Sequence, residues 1–261
     1  TLSLHDALPI SGRGVDRPGA GRAGADAAVP QLLRPVAGGI VVAARADDRH
    51  AVGGECWFVD VLLRVVAVIH VADGGGSFPI VASTAQFIGK VWSIRTDALD
   101  FDGRIIERDI VVHPGAVAII AIDEQDRVLL IRQYRHPIGM YIFEPPAGLL
   151  DIAGEQPLLT AQRELAEESG FSASRWHTLV DLLNSPGGSS EAIRIFLARD
   201  LSELPDGRPM TGEAEEMFLP RVWVDLDEAK NLVLSGAVSG PTAVAGILAA
   251  WAMRAQGWHG L

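Results

Sequence analysis

The sequence predicts an α+β fold, a mixed β-sheet packed against helices and preceded by a small antiparallel β unit. Three observations carry this. Short β-rich runs separated by turn residues fill 78–134, as expected for sequential strands. Apolar residues at helical spacing occupy 157–169, 226–234 and 241–255, which marks amphipathic helices. The two kinds of element do not alternate as βαβαβ, so a parallel doubly wound sheet is not expected.

Residues 1–77 stand apart, with no Lys, many Gly and Arg, and little periodicity. Residues 1–10 read TLSLHDALPI, do not start with Met, and match one reading frame of a sequencing-adapter oligonucleotide. The segment 1–77 is therefore expected to be extraneous or without stable structure, with one isolated element at 58–71. From Phe78 onward local signals agree with one another. Strands at 78–83, 88–98 and 104–113, with a turn at 100–103, compose an N-terminal unit spanning 78–113. The main domain, 114–261, opens with strands at 116–122 and 128–134, joined as a hairpin through 123–126. A short strand follows at 141–144. Pro157 and Gly170 bracket a helix over 157–169, since Pro suits a first turn and Gly a position just past the end. Strands at 176–182 and 192–198 flank a Gly/Ser-rich loop. A polar loop at 201–216 and a strand at 218–224 precede the last two helices.

Of 261 residues, 48% are hydrophobic and 21% charged, the balance of a soluble globular chain. The one cysteine, Cys56, excludes an intrachain disulfide and a zinc site of several thiolates. A reducing, cytoplasmic setting fits this. A net charge of -11 argues against nucleic-acid binding through a broad basic surface. No run is long and uncharged enough to span a membrane. An acidic protein acting on an anionic substrate needs a local cation, and a bound metal is the natural source.

Chemistry concentrates in the helix at 157–169. Glu164, Glu167 and Glu168 stand at i, i+3 and i+4, so their carboxylates share one face. Like charges stacked in this way repel, and a hard divalent cation with oxygen ligands relieves the repulsion. Leu158, Ala161 and Leu165 on the other face anchor the helix in the core. Taken alone, three glutamates are also compatible with a solvated acidic helix.

The longer string is more specific. Gly148 is followed by six residues, Glu155, seven residues, and then Arg163-Glu-Leu-Ala-Glu-Glu-Ser-Gly-Phe171. This resembles the box of the Nudix hydrolases, which has five residues where this chain has six. The extra residue lies in a loop before the helix and is shared with actinobacterial members. The resemblance implies a Nudix α/β/α sandwich and a pyrophosphohydrolase. It also implies metal ligation by Glu164 and Glu168, with Glu167 and the Ala147 carbonyl assisting. Arg163 then orients the glutamates, with Glu155 as its partner. The metal is expected to be Mg²⁺, with Mn²⁺ able to substitute.

Beyond the box, Arg132-Gln-Tyr-Arg135-His-Pro leads to Phe143-Glu144-Pro-Pro-Ala-Gly148, and Pro186 lies sixteen positions past Gly170. These features look like the ADP-ribose pyrophosphatase branch, with Pro145 standing where that branch usually has Leu. The likeness implies a homodimer whose β unit, 78–113, swaps across a two-fold axis, with Arg108 reaching substrate. Arg135 and Glu144 are further candidate substrate contacts. Related enzymes place the general base in the acidic loop after the last long hairpin, which here holds Glu213 and, as runner-up, Glu215. Other nucleoside diphosphate derivatives, nucleotide sugars or dinucleotides, are alternative substrates. A non-catalytic nucleotide sensor fits less well, because such modules lose box glutamates that this chain keeps.

Overall fold

A computed structural model describes residues 40–43, 68–71, 73–209, 219–259 and 261. Within residues 1–77, β1 (Ile40–Ala43) pairs antiparallel with β2 (Val68–Val71), which falls in the apolar run at 58–71. The rest of the reading for 1–72 lies outside the described residues.

The N-terminal unit is the three-stranded antiparallel sheet β3 (Ile80–Ile88), β4 (Ser93–Phe101) and β5 (Arg104–Val112), in that order. Its first turn lies at 89–92, so the first strand runs on past the expected end at 83 and the second starts after the expected 88. Gly89 N–H closes it onto the Trp92 carbonyl at 3.1 Å. Residues 84–87 stay in the strand because their neighbours across the ladder bind them. Thr84 faces Thr96, and Gln86 Nε2 donates to Thr96 Oγ1 at 3.1 Å. All of β3 is exposed, yet Asp97 in the middle strand is only 1% exposed. It accepts from Ser83 Oγ at 2.6 Å and Arg95 Nε at 3.1 Å.

The main domain holds two sheets between helices. One is mixed, in the order β10-β11-β6-β9, from β6 (Ala116–Ala121), β9 (Ala147–Leu149), β10 (Phe171–Leu183) and β11 (Ala192–Glu203). Its β11–β6 pair is parallel and the others antiparallel. The second is antiparallel, in the order β12-β7-β8, from β7 (Arg127–Arg135), β8 (Met140–Glu144) and β12 (Arg221–Asp225). The expected hairpin of β6 and β7 forms only its turn. Asp123 accepts from the Gln125 and Arg127 N–H groups, one bridge joins Ile122 to Val128, and the strands then enter different sheets. β6 is buried along nearly its whole length, and it pairs with β11 and β9 instead. Two other boundaries also move. β11 runs into the expected polar loop, with Glu203 paired to Phe171, and the last strand begins at Arg221 rather than 218.

α1 (Pro157–Ser169) covers one face of the domain through Ala161 and Leu165, which pack on Val117, Ile119 and Leu129. Leu158 stays at the margin at 36% exposure, and Thr160 takes a buried place instead. α2 (Leu226–Leu234) and α3 (Pro241–Ala255) cover the other face over Ile120, Leu130 and Ile195. Gly246 makes this approach possible, because a methyl there would sit 2.6 Å from Ile120. Among the described residues no helix is long and apolar enough to cross a membrane.

Candidate active site

The site forms where β9 meets α1. β9 sits at the sheet edge beside β6, with Ala147 opposite Ala118. Ala147 N–H donates to Glu168 Oε2 at 2.8 Å. A side chain at Gly148 would collide with the Glu164 carboxyl group. Any larger residue there forces the Glu164 side chain or β9 to shift, because helix and strand touch at this point. Glu164 and Glu168 are only 8% and 5% exposed, a costly environment for a carboxylate unless it is compensated.

Arg163 supplies part of that compensation. Its Nη1 lies 2.7 Å from Glu164 and 3.1 Å from Glu167, and its Nη2 lies 3.4 Å from Glu155. Burial disfavours the charged guanidinium, but Glu164, Glu155 and Glu167 outweigh it, and the pKa rises above the ordinary value. Arg163 Nε is buried with no acceptor among the described residues. Thr160 was not singled out in the sequence, yet its hydroxyl donates to Glu155 Oε2 at 2.8 Å. The signal was a polar residue at a buried helical position.

Three carboxylates thus surround one guanidinium, and with Glu168 beside Ala147 the local charge remains negative. Among the described residues no three acidic, His or Cys side chains converge on one point as a closed metal cage. Glu164 and Glu167 face Arg163, while Glu168 faces Ala147. A donor set of this kind fits a cation that keeps waters and takes phosphate oxygens as further ligands.

Arg135 and Glu144, nine residues apart, meet at 2.7 Å between Nε and Oε2. Glu144 is 8% exposed and Arg135 is half exposed. A methyl added at Gly240, at the start of α3, would lie 3.6 Å from Glu144 Cγ, a proximity that sequence reading missed. Arg108 stands apart. It lies on β5 opposite Asp97, is exposed, and donates to the Glu107 carbonyl. Glu213 and Glu215 lie outside the described residues. The segment that holds them is flanked by two fastenings to the end of α1. Leu204 N–H donates to the Gly170 carbonyl at 2.9 Å, and Arg221 Nη1 donates to the Ser169 carbonyl.

Comparison with known proteins fits this geometry. The NUDIX domain matches residues 112–240. The chain is 42% identical over 177 residues to the ADP-ribose pyrophosphatase of Mycobacterium tuberculosis, covering 67% of this chain and 84% of that protein. It is 36% identical over 156 residues to the ADP-ribose pyrophosphatase of Bacillus subtilis, covering 59% and 82%. A crystal structure described as an ADP compounds hydrolase has a TM-score of 0.57 at 24% identity, over 71% of this chain and 98% of its own. That last likeness shows the fold alone.

Proposed function

The chain belongs to the Nudix family of hydrolases, and from that premise we propose that it cleaves the diphosphate of ADP-ribose to AMP and ribose 5-phosphate in a Mg²⁺-dependent reaction. The relatives named ADP-ribose pyrophosphatase, matched over most of their length, support this substrate. The observation that carries the chemistry is the pair of buried carboxylates, Glu164 and Glu168, fixed against β9 by Gly148 and the Ala147 N–H.

In this reading Glu164 and Glu168 hold the metal, with Glu167 and the Ala147 carbonyl assisting. A bound Mg²⁺, for which Mn²⁺ substitutes, orients the diphosphate and neutralises its developing charge. Arg163 fixes the rotamers of Glu164 and Glu167 through its ion pairs. Arg135 uses only Nε on Glu144, so its two Nη groups offer a bidentate edge to phosphate oxygens. Glu144 holds that guanidinium in place. Glu213 takes the proton of the attacking water, with Glu215 the second candidate.

The β3–β5 unit supports a homodimer. Ile80, Val81, Phe87, Ile88 and Ile105 are all more than half exposed, spread over both faces of the sheet, and exposed apolar area of this kind calls for a cover. A second copy is the proposed cover, with Arg108 reaching the partner's site. The setting is cytoplasmic in this reading.

A panel of ADP-ribose, nucleotide sugars and dinucleotides, assayed with Mg²⁺, Mn²⁺ and chelator, tests the proposal. AMP and ribose 5-phosphate from ADP-ribose, abolished by chelator, is the expected result. Preference for another diphosphate, or turnover that persists in chelator, overturns it.

A further inference from the structure

A basic cleft of about 260 Å³ lies on the sheet face away from α1, lined by Arg175, His177, Leu197, Arg199, Trp258 and Leu261. Its side of the sheet follows from strand alternation. Trp176, Phe196 and Ala198 pack in the cluster beneath α1, whereas Leu197 packs in the cluster beneath α3. Arg175, His177 and Arg199 therefore project on the α3 side, across the sheet from the box carboxylates.

Arg175 and Arg199 are direct partners across the β10–β11 ladder, and His177 is the partner of Leu197. Like charges directly opposite in a sheet are unfavourable unless something compensates them. Asp200 lies 2.8 Å from Arg175, but both side chains of that pair are about half exposed, and water weakens such pairs. Arg199 pairs with no carboxylate among the described residues. Its guanidinium lies 4.5 Å from the ring centre of Trp258. Stacking fixes the guanidinium plane and leaves its N–H edge available. Trp258 itself is pinned by its N–H to the Met253 carbonyl at 2.9 Å, with a left-handed φ of 61°. In a chain of net charge -11, two guanidiniums and an imidazole on one wall make a local positive site.

We propose that this cleft binds a small phosphate or phosphate monoester, with Arg199 and Arg175 as the charged donors and His177 as a third. Guanidinium binds phosphate oxygens through paired N–H groups. The cleft is smaller than the roughly 300–1,000 Å³ usual for larger ligands. It suits a phosphate with at most a small sugar, and not a whole dinucleotide-like substrate.

Calorimetric titration of the full chain tests this, with inorganic phosphate and ribose 5-phosphate as separate ligands and chelator present to suppress metal-dependent binding. One saturable site is expected for at least one of the two, and the arm that binds identifies the source. Arg199→Gln weakens binding by about tenfold or more, as loss of a charge-assisted bond requires. Arg175→Gln alters a half-exposed side chain, and it weakens binding as well. Glu168→Gln leaves binding unchanged, as does Arg199→Gln the kcat for ADP-ribose. Equal affinity in the wild type and both arginine variants overturns the proposal, as does loss in Glu168→Gln alone. So does the absence of saturable binding below roughly 10 mM.

Discussion

Ala147 N–H donates to Glu168 Oε2 at 2.8 Å, so one hydrogen bond fixes strand β9 against the last turn of α1. The carbonyl and the carboxylate proposed as ligands belong to these same two residues. Their spacing is thus set by the fold before any cation arrives, which lowers the ordering that binding must impose.

Glu168→Gln preserves the acceptor for Ala147 N–H through the amide oxygen but removes the negative charge. Turnover of ADP-ribose is expected to fall by about a hundredfold or more, because a charged ligand is lost from the site. The thermal midpoint should move by no more than about 2–4 °C, as the shape is kept. Steady-state kinetics with a melting curve measure both, and unchanged turnover removes Glu168 from the proposed role.

Gly148→Ala places a methyl against the Glu164 carboxyl group. Overpacking of this kind costs about 1–3 kcal/mol, a fall of roughly 2–12 °C in the thermal midpoint. Activity should drop as well, because Glu164 must turn away. A melting curve and assay like those of the wild type would show that β9 yields instead.

Much of this was legible in the sequence. Spacing alone put Glu164, Glu167 and Glu168 on one helix face, since helical geometry converts sequence distance directly into space, whereas the pairing of Arg163 with Glu155 was legible only through the resemblance to the Nudix box. Arg135 and Glu144 were singled out separately, but their mutual contact depends on the β7–β8 register, which no local signal fixes. The supposed β6–β7 hairpin failed for a similar reason. A good turn at Asp123 does not reveal that β6 finds better partners in β11 and β9. Thr160 and Gly240 matter only through tertiary neighbours and left little mark in the chain.

Asp227 ties α2 to α3 through Arg254 Nη2 and Trp251 Nε1, each at 2.7 Å. Its pKa is lowered from the ordinary 3.8, first by the hydrogen bond from Arg254 and then by that from Trp251. A depressed folded pKa contributes stability that is present above the unfolded value and lost as pH falls through the folded one. The wild type should therefore exceed Asp227→Asn in thermal midpoint at neutral pH, and the gap should close as pH drops below 3.8. A gap that stays constant to low pH would assign the contribution to packing instead. Because the side chain is exposed, the gap at neutral pH is expected to be small.

Glu213 and Glu215 are separated by a test of rate, not of fold. The described residues Leu204 and Arg221, on either side of them in the chain, are both fastened to the end of α1. The Ser169 carbonyl held by Arg221 is adjacent in the chain to Glu168. A general base must come within about 2.6–3.2 Å of the attacking water, and its loss typically costs 10²–10⁴-fold in rate. Glu213→Gln should lower kcat by about that range, with KM little changed. Glu215→Gln should lower it by less than about tenfold, because a solvated loop charge affects the reaction only through its field. Reversal of the two magnitudes makes Glu215 the base. Equal and small effects in both would place the base outside this segment.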